Sequence, residues 1–191
     1  PITVATVDMD WHWVKLSGKF DCPMGKFSPQ GPGWTGYSFN TELFPDYKGF
    51  LKHLKDEGYK ITLNLHPASG VRAFENMYEE MCIATGVDPA TKRAVDFSIT
   101  DPRFVNAYFK ILHKPYEADG VDFWWIDWQQ GKNAGLKGLD PLWALNHYHT
   151  LDNAQSFDGG KKRPLILSRF AGVGAHRYQI GFSGDTAVRW A

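Results

Sequence analysis

Asp127 is the residue of this sequence whose surroundings most clearly indicate chemistry. Within residues 120–131, the bulky apolar run Phe123–Ile126 stops on this carboxylate, and Trp125 and Trp128 flank it. Aspartate is a poor strand former and is costly to bury without a partner, so we expect it where a strand ends and side chains face a ligand. Asp127 is therefore a candidate catalytic nucleophile, although this stretch alone would equally fit a buried aspartate that caps a loop.

A second carboxylate, Asp185, also follows a short apolar run. Hydrolysis of a glycoside needs such a pair, one to attack the anomeric carbon or activate water and one to protonate the leaving oxygen. The separation of 58 residues (185 − 127) fits two strands that lie two apart in a barrel. Asp8 and Asp10 are further candidates, and four converging acids need a cation. Arg169 could supply it as a planar donor, although a structural salt bridge would also explain this arginine.

Histidine and cysteine residues do not indicate a metal site. His66 ends a predicted strand and could face the site, whereas His147 and His149 are two apart on a predicted helix and do not share a face. A zinc site needs three or four converging ligands. Cys22 and Cys82 match no metal-ligand spacing, so both are expected to be free thiols and no metal is expected.

The predicted elements alternate between strands and helices. Strands are predicted at residues 1–9, 59–65, 123–126, 165–167 and 179–182, and helices at 41–58, 74–84, from 101 onward with Pro115 kinking or ending it, and 141–154. This alternation favours a parallel α/β sheet, either a closed (β/α)8 barrel or an open doubly wound sheet. No glycine-rich fingerprint follows any strand, so nucleotide cofactors are disfavoured. Polar residues at the strand ends favour the barrel.

The composition limits the possible partners. The 191 residues suffice for one domain, and 21 basic residues balance 21 acidic ones without a basic stripe, so nucleic acid is not expected. No apolar run approaches the length of a membrane span. Aromatic residues make up 15% of the chain, including eight Trp, which suits an amphipathic ligand such as a sugar but also an aromatic core. The Gly- and Pro-rich segment 17–37 is predicted to be a long functional loop.

Three motifs, in order along the chain, resemble glycoside hydrolase family 31, the α-glucosidases, α-xylosidases and their relatives. Trp124-Trp125-Ile126-Asp127 is similar to the nucleophile motif of that family. Leu167-Ser168-Arg169-Phe170, followed by Gly184-Asp185-Thr186, resembles its acid/base motif, with the expected interval of 16 residues (185 − 169). Val7-Asp8-Met9-Asp10-Trp11 resembles the motif whose first acid holds the sugar.

The resemblance implies a retaining α-glycosidase without a cofactor, similar to an α-glucosidase, that acts on an oligosaccharide or small glycoside. In this mechanism Asp127 forms a covalent glycosyl-enzyme, and Asp185 protonates the leaving oxygen and later activates water. Asp8, Trp125 and Arg169 bind the sugar. A non-catalytic carbohydrate-binding protein on a degenerate barrel and an α-galactosidase-like retaining enzyme are the alternatives.

Two departures from the family are visible. The usual Met-Asn-Glu after the nucleophile is Trp128-Gln129-Gln130 here, and position 128 borders the site, so the leaving-group preference is open. The family barrel has eight strands, and this chain is expected to supply about strands two to six. Residues 1–191 are thus predicted to form one partial catalytic (β/α)8 barrel domain that is weakly active or inactive alone and self-associates through open barrel edges. Free cysteines and the lack of a visible signal favour the cytoplasm, but the chain starts within a predicted strand, which leaves localisation open.

Overall fold

Five parallel strands in one sheet organise the fold. The computed structural model describes residues 2–12, 36–128, 130–131, 134–155, 160–169, 171–185, 187 and 189. Within these residues the strands are β1 (Val4–Val7), β2 (Lys60–Leu65), β3 (Phe123–Ile126), β4 (Leu167–Arg169) and β5 (Ile180–Phe182). All four pairings are parallel, and the spatial order is β1-β2-β3-β4-β5.

This strand order decides between the two architectures that the sequence allowed. In a doubly wound sheet the order reverses at a switch point, and helices cover both faces. Here each strand pairs with its neighbour in sequence, so right-handed crossovers place the connecting helices on one face of the sheet. The predicted α/β fold, a partial (β/α)8 barrel, is confirmed.

The α-helices between the strands in the described residues are α1 (Tyr47–Asp56), α2 (Tyr78–Thr85), α3 (Pro102–Ala107), α4 (Lys114–Ala118) and α5 (Pro141–Asn153). Of these, α1, α3 and α5 begin at aspartate caps. Asp101 and Asp140 each accept a hydrogen bond from a main-chain N–H of the first turn, and a proline follows each cap. The prediction that Asp140 and Pro141 open a helix that ends near residue 154 is confirmed.

Three predicted helices differ from those in the structure, and the one expected over residues 74–84 begins only at Tyr78. The first was expected over residues 41–58 but begins only at Tyr47, because Asp46 is its cap and the residue before Pro45 is disfavoured in helical conformation. The helix that opens at Pro102 continues as a π-helix over Tyr108–His113 and then as α4. Pro115 does not end it, because the π-helix stops at His113 and Pro115 lies in the first turn of α4, where a missing N–H is tolerated.

The sheet has an apolar outer face and a more polar inner face. Side chains alternate along a strand, and the register pairs Leu63 with Trp124 on the outer face, which packs against the helices in the hydrophobic core. On the inner face, Asn64 pairs with Trp125, and Trp125 in turn with Leu167. His66 and Asp127 continue the alternation of Asn64 and Trp125, so they follow the inner face at the carboxyl ends of β2 and β3.

Asp122 holds the opposite, amino-terminal end of the sheet. Its carboxylate accepts hydrogen bonds from Lys55 Nζ at 2.7 Å, Lys60 Nζ at 3.0 Å and Ile61 N at 2.8 Å. The carboxylate thereby ties the start of β3 to β2 and to the end of α1. Only five residues separate it in sequence from Asp127 (127 − 122), which lies at the other end of the strand.

Two histidines are buried among aromatic rings in the helical layer. His149 Nε2 lies 3.0 Å from the Tyr108 hydroxyl, and His113 Nδ1 lies 2.7 Å from the Tyr108 carbonyl oxygen. Burial lowers the pKa of His113 to about 4. It also lowers the pKa of His149 well below its ordinary value. Both histidines are therefore neutral structural residues at neutral pH.

Of the two cysteines, only Cys82 lies within the described residues. Cys82 is a buried free cysteine, as predicted. Cys22 and most of the predicted loop 17–37 lie outside the described residues. None of the helices in the described part of the chain is long and apolar enough to cross a membrane.

Candidate active site

Residues from all five strand ends contribute to one edge of the sheet. Asp8 follows β1, His66 follows β2, and Asp127 follows β3. Arg169 is the last residue of β4, and Asp185 lies three residues beyond β5. Because carboxyl ends of neighbouring parallel strands lie on the same side, short loops suffice to converge these side chains.

Asp127 lies in the middle of this edge and is surrounded by donors. Asp127 is only 7% exposed. Oδ1 accepts hydrogen bonds from Arg169 Nε and, at 2.8 Å, from the Trp128 main-chain N–H. Oδ2 accepts one from Asn64 Nδ2 at 3.3 Å and lies 3.5 Å from His66 Nε2. Oδ1 therefore has the shorter contacts and Oδ2 the longer ones.

These donors decide the charge of the carboxyl group. Burial alone would raise the pKa of Asp127, but hydrogen bonds from His66, Arg169 and the Trp128 main chain outweigh it and hold the pKa well below its usual range. Asp127 is consequently an anion throughout the neutral pH range. A carboxylate with this charge and low exposure is suited to nucleophilic attack or to stabilising a positive charge.

Arg169 joins the two candidate catalytic acids. Its Nε donates to Asp127, and its Nη2 donates to Asp185 Oδ2 at 3.2 Å. Burial would lower the pKa of Arg169, but the two carboxylates raise it above its ordinary value. The Asp185 side chain is 85% exposed, so solvent or a ligand has direct access to it. The structure thus brings Asp127, Arg169 and Asp185 together.

Aromatic rings surround the guanidinium. Arg169 Cζ lies 4.9 Å from the ring centroid of Trp128 and 5.4 Å from that of Phe182, both within cation–π range. Trp125 packs edge-on against Phe182, with ring centroids 5.5 Å apart. The Trp125 Nε1 atom is buried and has no hydrogen-bond partner among the described residues. Trp128 is 46% exposed at the mouth of the site.

Asp8 lies at the same edge but apart from this cluster. Its Oδ1 accepts a 2.7 Å hydrogen bond from Met9 N and caps the short helix Met9–Trp11. Among the described residues, no hydrogen bond or ion pair links Asp8 to Asp127, Arg169 or Asp185. Asp10 is also exposed, within the same short helix. The sugar-binding role of Asp8 stays a prediction.

Two residues in this site were not assigned from sequence. Asn64 contacts the Asp127 carboxylate, and the buried Gln130 donates to the Asp127 main-chain oxygen. A usable signal for Asn64 was the alternation along β2, since Thr62 and Asn64 occupy every second position and share the inner face. For Gln130, the signal was only its place three residues after the candidate nucleophile. His66 was recognised as a strand-end residue, and its proximity to Asp127 agrees with that expectation.

Within the residues that the structure describes, no group of three or more histidine, cysteine, aspartate or glutamate side chains is arranged to hold a metal ion.

Comparison with known proteins identifies related sequences and structures. The model of the glycosyl hydrolases family 31 TIM-barrel domain matches residues 1–191. The chain is 27% identical to an α-xylosidase of Emericella nidulans, in an alignment that covers 87% of this chain and 23% of that protein.

Solved structures show the same fold. A xylosidase from Aspergillus niger superposes with a TM-score of 0.55 at 15% identity, over 93% of this chain and 28% of that one. A family 31 sulfoquinovosidase from E. rectale gives a TM-score of 0.55 at 20% identity, over 97% of this chain and 29% of that one. The present chain spans about a quarter of the length of these relatives.

Proposed function

This chain belongs to glycosyl hydrolase family 31, and we propose that it carries the catalytic centre of a retaining α-glycosidase. Asp127 is the nucleophile, and Asp185 is the general acid and base. The observation that carries this proposal is the single guanidinium of Arg169, which bridges two carboxylates from different strand ends. Paired carboxylates of this kind are what glycoside hydrolysis requires.

The two acids have different environments, which suits their different roles. Asp127 is buried, anionic and surrounded by donors, whereas Asp185 is exposed to an approaching leaving group. A carboxylate oxygen of Asp127 attacks the anomeric carbon as the glycosidic C–O bond breaks, and Asp185 gives its proton to the leaving oxygen. Asp185 then takes a proton from water, which attacks the anomeric carbon and releases Asp127.

Trp125, Arg169 and Asp8 are proposed to bind the sugar. The buried Nε1–H of Trp125 has no described partner and could donate to a sugar hydroxyl, while its ring offers an apolar face. Arg169 can share its donors between Asp127 and the substrate. Asp8 lies at the same edge of the sheet and would accept hydrogen bonds from hydroxyl groups once a sugar occupies the site.

The substrate is proposed to be an α-linked oligosaccharide or small glycoside. An α-glucoside was expected from sequence, and the name of the Emericella relative adds an α-xyloside as an equal candidate. The name of the E. rectale structure adds an α-sulfoquinovoside to the panel. A single family model spans residues 1–191, which supports treating them as one partial catalytic domain.

The test uses the full-length protein that contains this chain. Purified enzyme is incubated with aryl α-glucoside, α-xyloside, α-sulfoquinovoside and α-galactoside, and proton NMR follows the anomer that is released first. We expect the α-anomer, as retention requires. Release of the β-anomer would contradict the double-displacement mechanism.

A covalent trap assigns the nucleophile. A fluorinated glycosyl fluoride that forms a slowly hydrolysed glycosyl-enzyme should label the peptide that contains Asp127. Asp127→Asn should abolish turnover, whereas Asp56→Asn, at an exposed position of α1, serves as the control. Asp185→Ala should lower kcat by about 100- to 10,000-fold for a poor leaving group and much less for a glycosyl fluoride, which needs no protonation. Label on any other residue would refute the assignment.

The non-catalytic alternative makes a different prediction. A protein that only binds glycans would bind an oligosaccharide in calorimetry without release of reducing sugar in the same sample. Asp127→Asn would then change binding alone. Measuring heat and reducing ends together separates this alternative from slow hydrolysis.

A further inference from the structure

The segment after β3 has an unusual backbone. Trp128 and Gln130 have positive φ angles of 57° and 63°, and Gly131 follows with 81°. Residues with a side chain rarely adopt this left-handed conformation, because the Cβ atom crowds the backbone. Such geometry persists only where surrounding contacts enforce it, and it is concentrated at functional sites.

The side chain of Gln130 supplies such a contact. It is only 3% exposed. Its Nε2 donates to the main-chain oxygen of Asp127, and its Oε1 accepts a 2.7 Å hydrogen bond from the Ala68 main-chain N–H. Ala68 lies in the short helix Pro67–Ser69 directly after β2. The amide group, which we name the Gln130 bridge, therefore joins the loops that follow two neighbouring strands.

Both joined loops carry groups that contact the Asp127 carboxylate. On the β3 side, the Trp128 N–H donates to Oδ1 at 2.8 Å. On the β2 side, His66, two residues before Ala68, places its Nε2 3.5 Å from Oδ2. The bridge thus connects the two loops that carry the Trp128 and His66 groups.

Resting on the proposed function, we propose that Gln130 is a positioning residue that aims the Asp127 carboxylate at the anomeric carbon. It touches no reacting atom, and it acts through the main chain of Asp127 and through the Ala68 turn. A misplacement of about 1 Å at a reacting group can cost on the order of 100-fold in rate, so the bridge is expected to affect kcat.

The chemistry of the bridge requires one donor and one acceptor. Glutamine supplies both at every pH. Glutamate, the usual residue of the family motif at this position, can supply the donor only while its carboxyl group is protonated. The glutamine of this chain thereby removes a titratable group from beside the nucleophile, where Asp127, His66 and Arg169 already interact.

Two variants separate positioning from simple packing. Gln130→Met has a similar length but makes neither hydrogen bond. Gln130→Glu still accepts from Ala68 N–H and donates to Asp127 O only when protonated. Gln179→Glu, at an exposed position before β5, is the matched control for the added charge.

The experiment compares kcat and KM for an aryl α-glycoside across pH, together with amide hydrogen exchange and Tm, in the full-length enzyme. We expect Gln130→Met to lower kcat by about 10- to 100-fold with little change in KM. Gln130→Glu should be close to wild type at acidic pH and should lose kcat as its carboxyl group ionises. Exchange at the Ala68 amide should accelerate in Gln130→Met and stay slow in Gln130→Glu.

Unchanged kcat at all pH values in both Gln130 variants would overturn the inference while the proposed function stands. The inference would also be overturned by a second combination of results. In it, a lower folded fraction fully explains the loss of kcat in Gln130→Met, and the pH profile of Gln130→Glu shows no added limb. A wild-type enzyme that hydrolyses none of the glycosides, and in which the covalent trap leaves Asp127 unlabelled, refutes the proposed function instead.

Discussion

Arg169 donates the Nε–H of its guanidinium to Oδ1 of Asp127, across the boundary between β4 and β3. The same planar group uses Nη2 to reach Asp185. Arg169 therefore links the proposed nucleophile to the proposed acid/base. An ammonium group can also donate to two carboxylates, but it lacks the rigid planar fork that sets the angle between them.

Arg169→Lys is expected to lower kcat by about 100-fold, because lysine keeps the charge but loses the rigid planar fork of the guanidinium. Steady-state kinetics with an aryl α-glycoside measure the effect. Arg163→Lys, at an exposed position before β4, provides the control. Wild-type kcat in Arg169→Lys would show that charge alone is sufficient.

Asp122→Asn and Asp127→Asn should affect different properties although they flank the same strand: the first should lower stability and the second should remove activity. Asp122 binds two lysines and a main-chain N–H at the end of the sheet remote from the site. Its replacement should cost about 1–3 kcal/mol of unfolding free energy, with kcat unchanged for the folded enzyme. Asp127→Asn should abolish turnover. Urea unfolding and kinetics on both variants check this, and a loss of kcat in folded Asp122→Asn would contradict it.

Stability is expected to fall between pH 6.5 and about 4 because of His113. Burial lowers the pKa of this residue to about 4, so in this range the unfolded chain binds a proton that the folded chain excludes. This loss of unfolding free energy is absent well above the ordinary histidine pKa and reaches on the order of 3 kcal/mol near pH 4. Asp127, whose pKa is lowered, adds a further loss only at still lower pH, where its carboxylate becomes protonated in the unfolded chain first.

Unfolding free energies at pH 8 and pH 5 measure the histidine effect. His113→Gln should lose part of this pH dependence, even if it is less stable at pH 8. His147→Gln, at an exposed position of α5, should keep it. Equal pH dependence in wild type and His113→Gln would assign the acid sensitivity to another group.

Trp128→Met is expected to change the preference for the leaving group. The half-exposed indole lies beside Asp127 and stacks on Arg169, so it can also contact the part of a substrate that departs. Methionine, the usual family residue, should raise KM for glycosides with large leaving groups by about 10-fold and leave glycosyl fluorides nearly unaffected. Equal changes for both substrate classes would indicate a general distortion of the site.

Residues 1–191, expressed alone, are expected to self-associate. Within the described residues, nothing pairs with the outer edges of β1 and β5, and Val4 and Ile180 on these strands are each 36% exposed. Sedimentation velocity over a range of concentrations should show species larger than the 21.7 kDa monomer. A single monomeric species at all concentrations would contradict the expectation.

Sequence predicted β2 and β3 well because each joins an apolar run to a polar end, as Phe123–Ile126 does with Asp127. It placed β4 at residues 165–167, two residues before its position at Leu167–Arg169. It also predicted that Arg169 lies near a carboxylate, since the two end neighbouring strands. It could not predict the Gln130 bridge, because a main-chain to side-chain contact between two loops has no periodic signal. The π-helix at Tyr108–His113 was equally inaccessible, because an extra residue in one helical turn leaves the composition unchanged.

The position of β3 between β2 and β4 has a consequence for synthesis on the ribosome. When Asp127 is synthesised, its partners Asn64 and His66 have already been synthesised with β2. Arg169 is added to the chain only 42 residues later (169 − 127). At typical elongation rates this delay is about 2 to 8 seconds. During that time the nascent carboxylate lacks its main counter-ion, so we expect β3 to dock fully only once β4 has emerged.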